Sequence, residues 1–213
     1  MTSAEANSPG SPPRIWNLPN VLTMLRIVMV PFFVWFLILD APGLSAQNGL
    51  WRWVAAATFA VAIYTDKLDG DIARSRGLIT DFGKIADPIA DKLLIGSALV
   101  MLSVLQELPW WVTILILVRE WGVTALRFFV IRYGVMPASR GGKLKTVIQT
   151  VAIFLYVLPL ASVGPWLGGV AFAVMMAALA ITVWTGGEYV VEALKLRASG
   201  IRTRQQNSQE GRP

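Results

Sequence analysis

Six of the chain's 13 acidic residues, all aspartates, fall within TDKLDGDIARSRGLITDFGKIADPIADK, the stretch from Thr65 to Lys92. A helix continued through Asp66–Arg74 sets Asp66, Asp69, Gly70 and Ala73 at offsets 0, 3, 4 and 7, which is one face. Asp87 and Asp91, four apart, share a face of the following helix in the same way. Two such helices side by side bring four carboxylates together, and like charges a few ångströms apart in a partly dry site raise one another's pKa unless cations sit among them. The chain has neither histidine nor cysteine, so imidazole and thiolate chemistry and disulfides are excluded, and any acid–base or metal chemistry falls to carboxylates. An all-oxygen donor set predicts Mg²⁺ or Mn²⁺, as a pair of ions, in preference to zinc. Gly70 and Ala73 leave the helix face clear for a bulky ligand, and Arg74 at its edge offers a fork to phosphate oxygens. Those are the parts of a phosphoryl-transfer site. Asp71 and Asp81 lie off that face and read as solvated.

A second group of charges lies in LVREWGVTALRFFVIRYGVMPASRGGKLKT. Arg119 and Glu120 fall inside an apolar stretch, where a charge is costly and is kept for function or pairing. Arg127 follows Arg119 by two turns, so both project to one side, and Lys143 and Lys145 open the next apolar stretch. Arg119, Arg127, Lys143 and Lys145 together predict a pocket for an anionic acceptor, most simply a phosphate monoester. Arg132 and Arg140 read as interfacial snorkelling residues. Asn20, Thr23 and Arg26 read either as walls of the nucleotide or acceptor pocket or as capping and interfacial residues.

The elements that position these groups follow from composition. The chain has 213 residues, of which 55% are hydrophobic and only 15% charged, which predicts an all-α integral membrane protein. Six apolar stretches are legible, at about 21–39, 50–65, 89–105, 110–129, 145–163 and 166–190. Of 19 lysines and arginines, only Arg52 falls outside the regions that six spans place on one side. The positive-inside rule makes that side cytoplasmic, with both termini inside and the aspartates at the cytoplasmic membrane face. Residues 1–14 read as a disordered tail, not a signal peptide, 15–196 as one six-span domain, and 197–213 as a second disordered tail. The net charge of +6 is dispersed between apolar segments, so it predicts membrane topology and no nucleic-acid partner.

Asp66-x-x-Asp69-Gly70-x-x-Ala73-Arg74, eight further residues, then Gly83-x-x-x-Asp87-x-x-x-Asp91 resembles the full signature of the CDP-alcohol phosphotransferase family. The number and placement of apolar stretches resemble that family over nearly the whole chain. The resemblance implies a CDP-linked lipid bound at the cytoplasmic membrane surface, attack by a hydroxyl acceptor on its phosphate, and departure of CMP. By position it implies that Asp66, Asp69 and Asp87 hold the metal ions with Asp91 close to them. It further implies that Asp66, Asp69, Gly70, Ala73 and Arg74 bind the CDP-diacylglycerol, and that Asp91 is the general base. The residues themselves require only that the base be a carboxylate; their spacing leaves open which aspartate it is.

Within the family, NLPNVLTMLRIVMVP at 17–31, the TDKLDG form of the first motif, the RE…LR pair at 119–127 and GKLKT at 142–146 resemble the branch that forms phosphatidylglycerol phosphate. That resemblance implies CDP-diacylglycerol as donor, glycerol 3-phosphate as acceptor and a homodimer among membrane lipids. The same machinery serves other acceptors, so inositol phosphate synthesis and cardiolipin synthesis are the nearest rivals. From a different class, a divalent-cation transporter would use the aspartates as its ion site, but permeation sites belong near the bilayer midplane and these cluster at one end.

Overall fold

The computed structural model describes residues 17–130, 140–164 and 166–210, with side chains described except at 140–143, 161 and 198–210. Among them all regular structure is helical. The helices are α1 (Leu18–Asp40), α2 (Leu50–Ser75), α3 (Asp81–Val104), α4 (Trp110–Val130), α5 (Arg140–Val157), the single turn α6 (Leu160–Val163) and α7 (Leu167–Glu210), with a 3-10 turn at Pro42–Leu44.

Short polar caps set the boundaries beside the aspartates. Asn17 is extended and its side chain accepts the Asn20 amide at 3.0 Å, so α1 starts ahead of the apolar run with Pro19 in its first turn. Thr80 caps α3 by accepting the Gly83 amide at 3.0 Å. That cap starts α3 eight residues before the apolar stretch and puts both Asp87 and Asp91 on one helix. At 26 residues, α2 is roughly 39 Å long, more than the ~30 Å hydrocarbon thickness, and its last turns carry the first half of the motif. The fifth apolar stretch is divided at Pro159, which cannot continue a helix, into α5 and the turn α6. At the carboxy end, α7 runs to Glu210, past residue 197 where composition predicts a disordered tail. Residues 1–14 lie outside the described residues.

The core joins all six long helices through Phe33 and Leu37 of α1, Phe59 of α2, Leu99 of α3, Ile116 of α4, Ile153 of α5 and Met175 of α7, none of them exposed. Phe59 lies between Phe33 at 5.5 Å and Phe154 at 6.4 Å, ring to ring. Ala55, Ala62, Ala90 and Ala98 are also fully buried, and small residues at these positions let helix backbones approach closely. Large apolar side chains point outward instead, Phe128 at 75% exposure and Trp184 at 73%. That arrangement suits lipid surroundings. The segments Leu18–Asp40 and Leu167–Arg197 are long and apolar enough to cross a membrane, and Leu144–Val157 is a shorter apolar helix. Charges of the two sequence-predicted clusters interrupt α2, α3 and α4.

Arg52 is pinned at the end of α2 away from the aspartates. It is 1% exposed, donates through Nε to the Val157 carbonyl at 2.9 Å and through Nη2 to the Tyr156 carbonyl at 2.7 Å, and pairs with Glu107. Burial pushes the Glu107 carboxyl above its ordinary value, and the Arg52 guanidinium opposes the rise. Asp40, also buried, accepts the Gly49 amide at 2.9 Å and so fastens the end of α1 to the start of α2.

Candidate active site

The end of α2 and the start of α3 bring the motif carboxylates together, and α1 supplies what lies between them. Arg26, fully buried, pairs through Nη1 with Asp66 and through Nη2 with Asp69. One turn earlier, the Thr23 hydroxyl stands 2.7 Å from Asp87 Oδ1 and 3.4 Å from Asp69 Oδ2. Asn20 Oδ1 accepts the Thr80 hydroxyl at 3.0 Å. Thr23 and Arg26 thus contact the carboxylates directly, and Asn20 joins the Thr80 cap of α3 beside them.

Gly83 is small because α1 is close. A Cβ there would stand 3.0 Å from Asn20 Oδ1 and 3.3 Å from Thr80 Oγ1. Gly70 serves Arg74 in a similar way, since a Cβ would stand 3.2 Å from both terminal guanidinium nitrogens as they fold back across the helix. Arg74 is exposed and bonded to Asp71 at 2.8 Å, so Asp71 balances it at the surface. Asp81 is 95% exposed and pairs with Lys84, in keeping with a solvated reading. Ala73 is half-buried one turn beyond Asp69.

Burial pushes the Asp69 carboxyl from 3.8 to about 6; the Arg26 guanidinium opposes this, and the charges of Asp66 and Asp87 add to it. Burial, more than the neighbouring carboxylates, thus holds the proton on Asp69 even with Arg26 beside it. Among the described residues no group of three or more carboxylates stands in metal-ligand spacing, and a guanidinium occupies the space between Asp66 and Asp69. The donor set itself, four carboxylates with no nitrogen or sulfur ligand near, suits a hard divalent cation.

Asp91 connects this cluster to the second one. It lines a small cavity together with Lys92, Glu120, Trp121, Lys145 and Gln149. Lys145 is 5% exposed and pairs with Glu120, whose Oε1 also lies 3.1 Å from Arg119 Nη1. Arg119 is held on α7 by the Thr182 carbonyl at 3.1 Å and the Thr185 hydroxyl at 2.8 Å. Arg127 is exposed and does not line the cavity; it bonds the Tyr189 hydroxyl at 2.9 Å and lies 4.9 Å from the ring centroid, with Arg119 at 5.7 Å from the same ring. The shared side expected for Arg119 and Arg127 is therefore the ring of Tyr189. The Lys143 side chain lies outside the described residues. Lys92, bonded to Thr124 at 2.6 Å and set over Trp121 at 4.9 Å, joins the cavity without having been singled out by spacing.

A family model described as CDP-alcohol phosphatidyltransferase matches residues 16–184 of the chain. A probable phosphatidylglycerophosphate synthase of Mycobacterium tuberculosis (strain H37Rv) is 57% identical over 189 residues, covering 89% of this chain and 87% of that protein. The CDP-diacylglycerol–glycerol-3-phosphate 3-phosphatidyltransferase of Rickettsia typhi is 38% identical over 175 residues, 81% of this chain and 94% of its own. The protein of the same description from Bacillus subtilis (strain 168) is 36% identical over 193 residues, 85% of this chain and 98% of its own.

Proposed function

Because the chain belongs to the CDP-alcohol phosphatidyltransferase family, we infer that it transfers a phosphatidyl group from CDP-diacylglycerol to glycerol 3-phosphate, giving phosphatidylglycerol phosphate and CMP. The observation that carries this reading is the double membership of Asp91, which belongs to the carboxylate motif and also lines the cavity of Lys145 and Glu120. A donor held at the motif and an acceptor phosphate held by the cations then meet at one carboxylate. The names of the similar proteins from Rickettsia and Bacillus support the same donor and acceptor.

In this reading Asp66, Asp69, Gly70, Ala73 and Arg74 receive the cytidine diphosphate end of the donor. Asp66, Asp69, Asp87 and Asp91 would hold Mg²⁺ or Mn²⁺, on which the family generally depends, and bound there such ions neutralise diphosphate oxygens and polarise the phosphorus. Arg119, Arg127, Lys143 and Lys145 attract the phosphate of the acceptor. Asp91 takes the proton of the primary hydroxyl as its oxygen bonds to the phosphorus next to diacylglycerol. The bond from that phosphorus to the CMP oxygen breaks, and Arg74 steadies the departing charge. The transfer is read as direct, since the sequence has no histidine or cysteine and its serines lack an evident activating base.

The site lies on the cytoplasmic face of six spans, in a cell membrane, with both termini inside, and the protein works as a homodimer. The lysine and arginine asymmetry supports the orientation. The test is CMP release by purified protein with Mg²⁺ or Mn²⁺, offering glycerol 3-phosphate, inositol 3-phosphate, phosphatidylglycerol and serine separately. Metal-dependent release with glycerol 3-phosphate alone is expected. Release only with another acceptor overturns the specificity, and none with any overturns the reaction.

A further inference from the structure

Glu120 stands in the middle of α4 on the cavity wall that Asp91 and Lys145 share. Its Oε1 accepts from Arg119 and pairs with Lys145. The two cations are secured differently. Arg119 has two further anchors on α7, the Thr182 carbonyl and the Thr185 hydroxyl. Lys145, buried, has Glu120 as its hydrogen-bond partner and no second one among the described residues. Loss of the Glu120 carboxylate therefore leaves Arg119 in place and releases Lys145.

We propose that Glu120 is a positioning residue that fixes the Lys145 ammonium where the phosphate of the acceptor binds, an inference that rests on the acceptor reading above. Two physical effects oppose each other here. A carboxylate beside an anion pocket repels the anion, so its removal by itself would tighten acceptor binding. A buried ammonium stripped of its partner does not keep its place, so removal also costs the pocket a cation. The Asp91 carboxylate also faces Lys145, but Glu120 is its one hydrogen-bond partner among the described residues, so the second effect is the larger. Thus Glu120, though negative, promotes binding of a negative substrate, and its effect passes through Lys145.

A double-mutant cycle of Glu120→Gln and Lys145→Met tests this, read as CMP release with each substrate varied at saturation of the other. Each single variant should raise the KM for glycerol 3-phosphate about ten- to hundredfold, as expected for losing one charged hydrogen bond. The double variant should be no worse than Lys145→Met alone. The KM for CDP-diacylglycerol should stay within about twofold of wild type, and Glu120→Asp, which keeps the charge, should fall between wild type and Gln. An acceptor KM that falls or stays level in Glu120→Gln overturns the proposal, as do effects that multiply in the double variant or a parallel rise in both KM values. Should Glu120→Gln fail to accumulate, Glu120→Asp with Lys145→Met completes the same cycle. Wild-type turnover with glycerol 3-phosphate separately reports the acceptor reading, and the cycle is run with whichever phosphate-monoester acceptor the wild type uses. A wild type that uses only acceptors lacking a phosphate overturns the role of Lys145 and that of Glu120 with it.

Discussion

Asp69→Asn should make the metal-free protein more stable while disabling it. Asp69 is 3% exposed, and burial lifts its carboxyl from 3.8 to about 6 against the pull of Arg26. At about 1.4 kcal/mol per pH unit, holding that carboxylate ionised costs the folded protein roughly 3 kcal/mol. The native state binds this proton more tightly than the unfolded chain. The associated stability is therefore fully present below 3.8 and is lost as pH rises through about 6. Asparagine keeps the shape of the neutral form at every pH, and Arg26 retains Asp66 as its partner. In detergent with EDTA at about pH 7.5, the variant should unfold roughly 6–12 °C above wild type, and the gap should close as pH approaches 4. Adding Mg²⁺ should raise the wild-type midpoint and leave the variant nearly unmoved, because a ligand is gone. The assay is a thermal unfolding series over pH with and without Mg²⁺, alongside CMP release. A wild-type midpoint that does not fall between pH 4 and 7 in EDTA, or a variant less stable than wild type throughout, would refute the reasoning.

Three other perturbations separate the parts of the site. Asp91→Asn should reduce kcat by at least about a thousandfold with CDP-diacylglycerol binding kept, measured by turnover and by donor titration; near-normal turnover would remove Asp91 as base. Gly83→Ala places a Cβ 3.0 Å from Asn20 Oδ1 and should push α3 from α1, costing about 1–3 kcal/mol in thermal unfolding and lowering kcat through displaced Asp87. Arg52→Leu leaves the half-buried Glu107 without its partner and should destabilise by about 2–3 kcal/mol, whereas Arg52→Leu with Glu107→Gln should recover part of the loss. In both Arg52 variants the KM values for both substrates should be unchanged, because the pair lies at the opposite end of the bundle.

The carboxylate cluster was legible because its spacing makes sense only on helices. Asp66, Asp69, Gly70 and Ala73 share a face only if α2 continues beyond its apolar part, and it does so to Ser75. Arg26 was not legible in the same way, since an arginine near the start of an apolar stretch reads equally well as snorkelling; only the contact of α1 with α2 and α3 turns it into an internal counter-ion. The role of Glu120 depends on α7 lying against α4 and on Lys145 of α5 reaching it, long-range contacts that periodicity does not encode. Thr80 carries a local signal, a threonine opening a helix, yet its bond to Asn20 joins residues 60 apart in sequence. The carboxy-terminal segment shows the converse. Its polar composition reads as disorder, but arginine and glutamine are good helix formers and α7 runs on to Glu210.

Arg26 and the proposed metal ions occupy the same cluster, and charge shows why they need not exclude each other. Four carboxylates stand against one guanidinium, and the charges of Asp66 and Asp87 add to the burial that holds the Asp69 proton to about pH 6. A cluster with no guanidinium would repel itself more strongly and would lose the bond between α1 and α2 whenever the ions left. A cluster neutralised completely by arginines would have no affinity for ions at all. One guanidinium keeps the helices joined and leaves less negative charge than two divalent ions bring. With two such ions bound, the site would carry a net positive charge, the sign required to hold a diphosphate and to stabilise CMP as it departs. Replacing Arg26 by methionine should accordingly make folding depend on divalent ions rather than simply weaken the enzyme, so that EDTA lowers the unfolding midpoint much further in the variant than in wild type. An equal response to EDTA in the two proteins would mean that Arg26 is not the counter-ion that holds the empty site together.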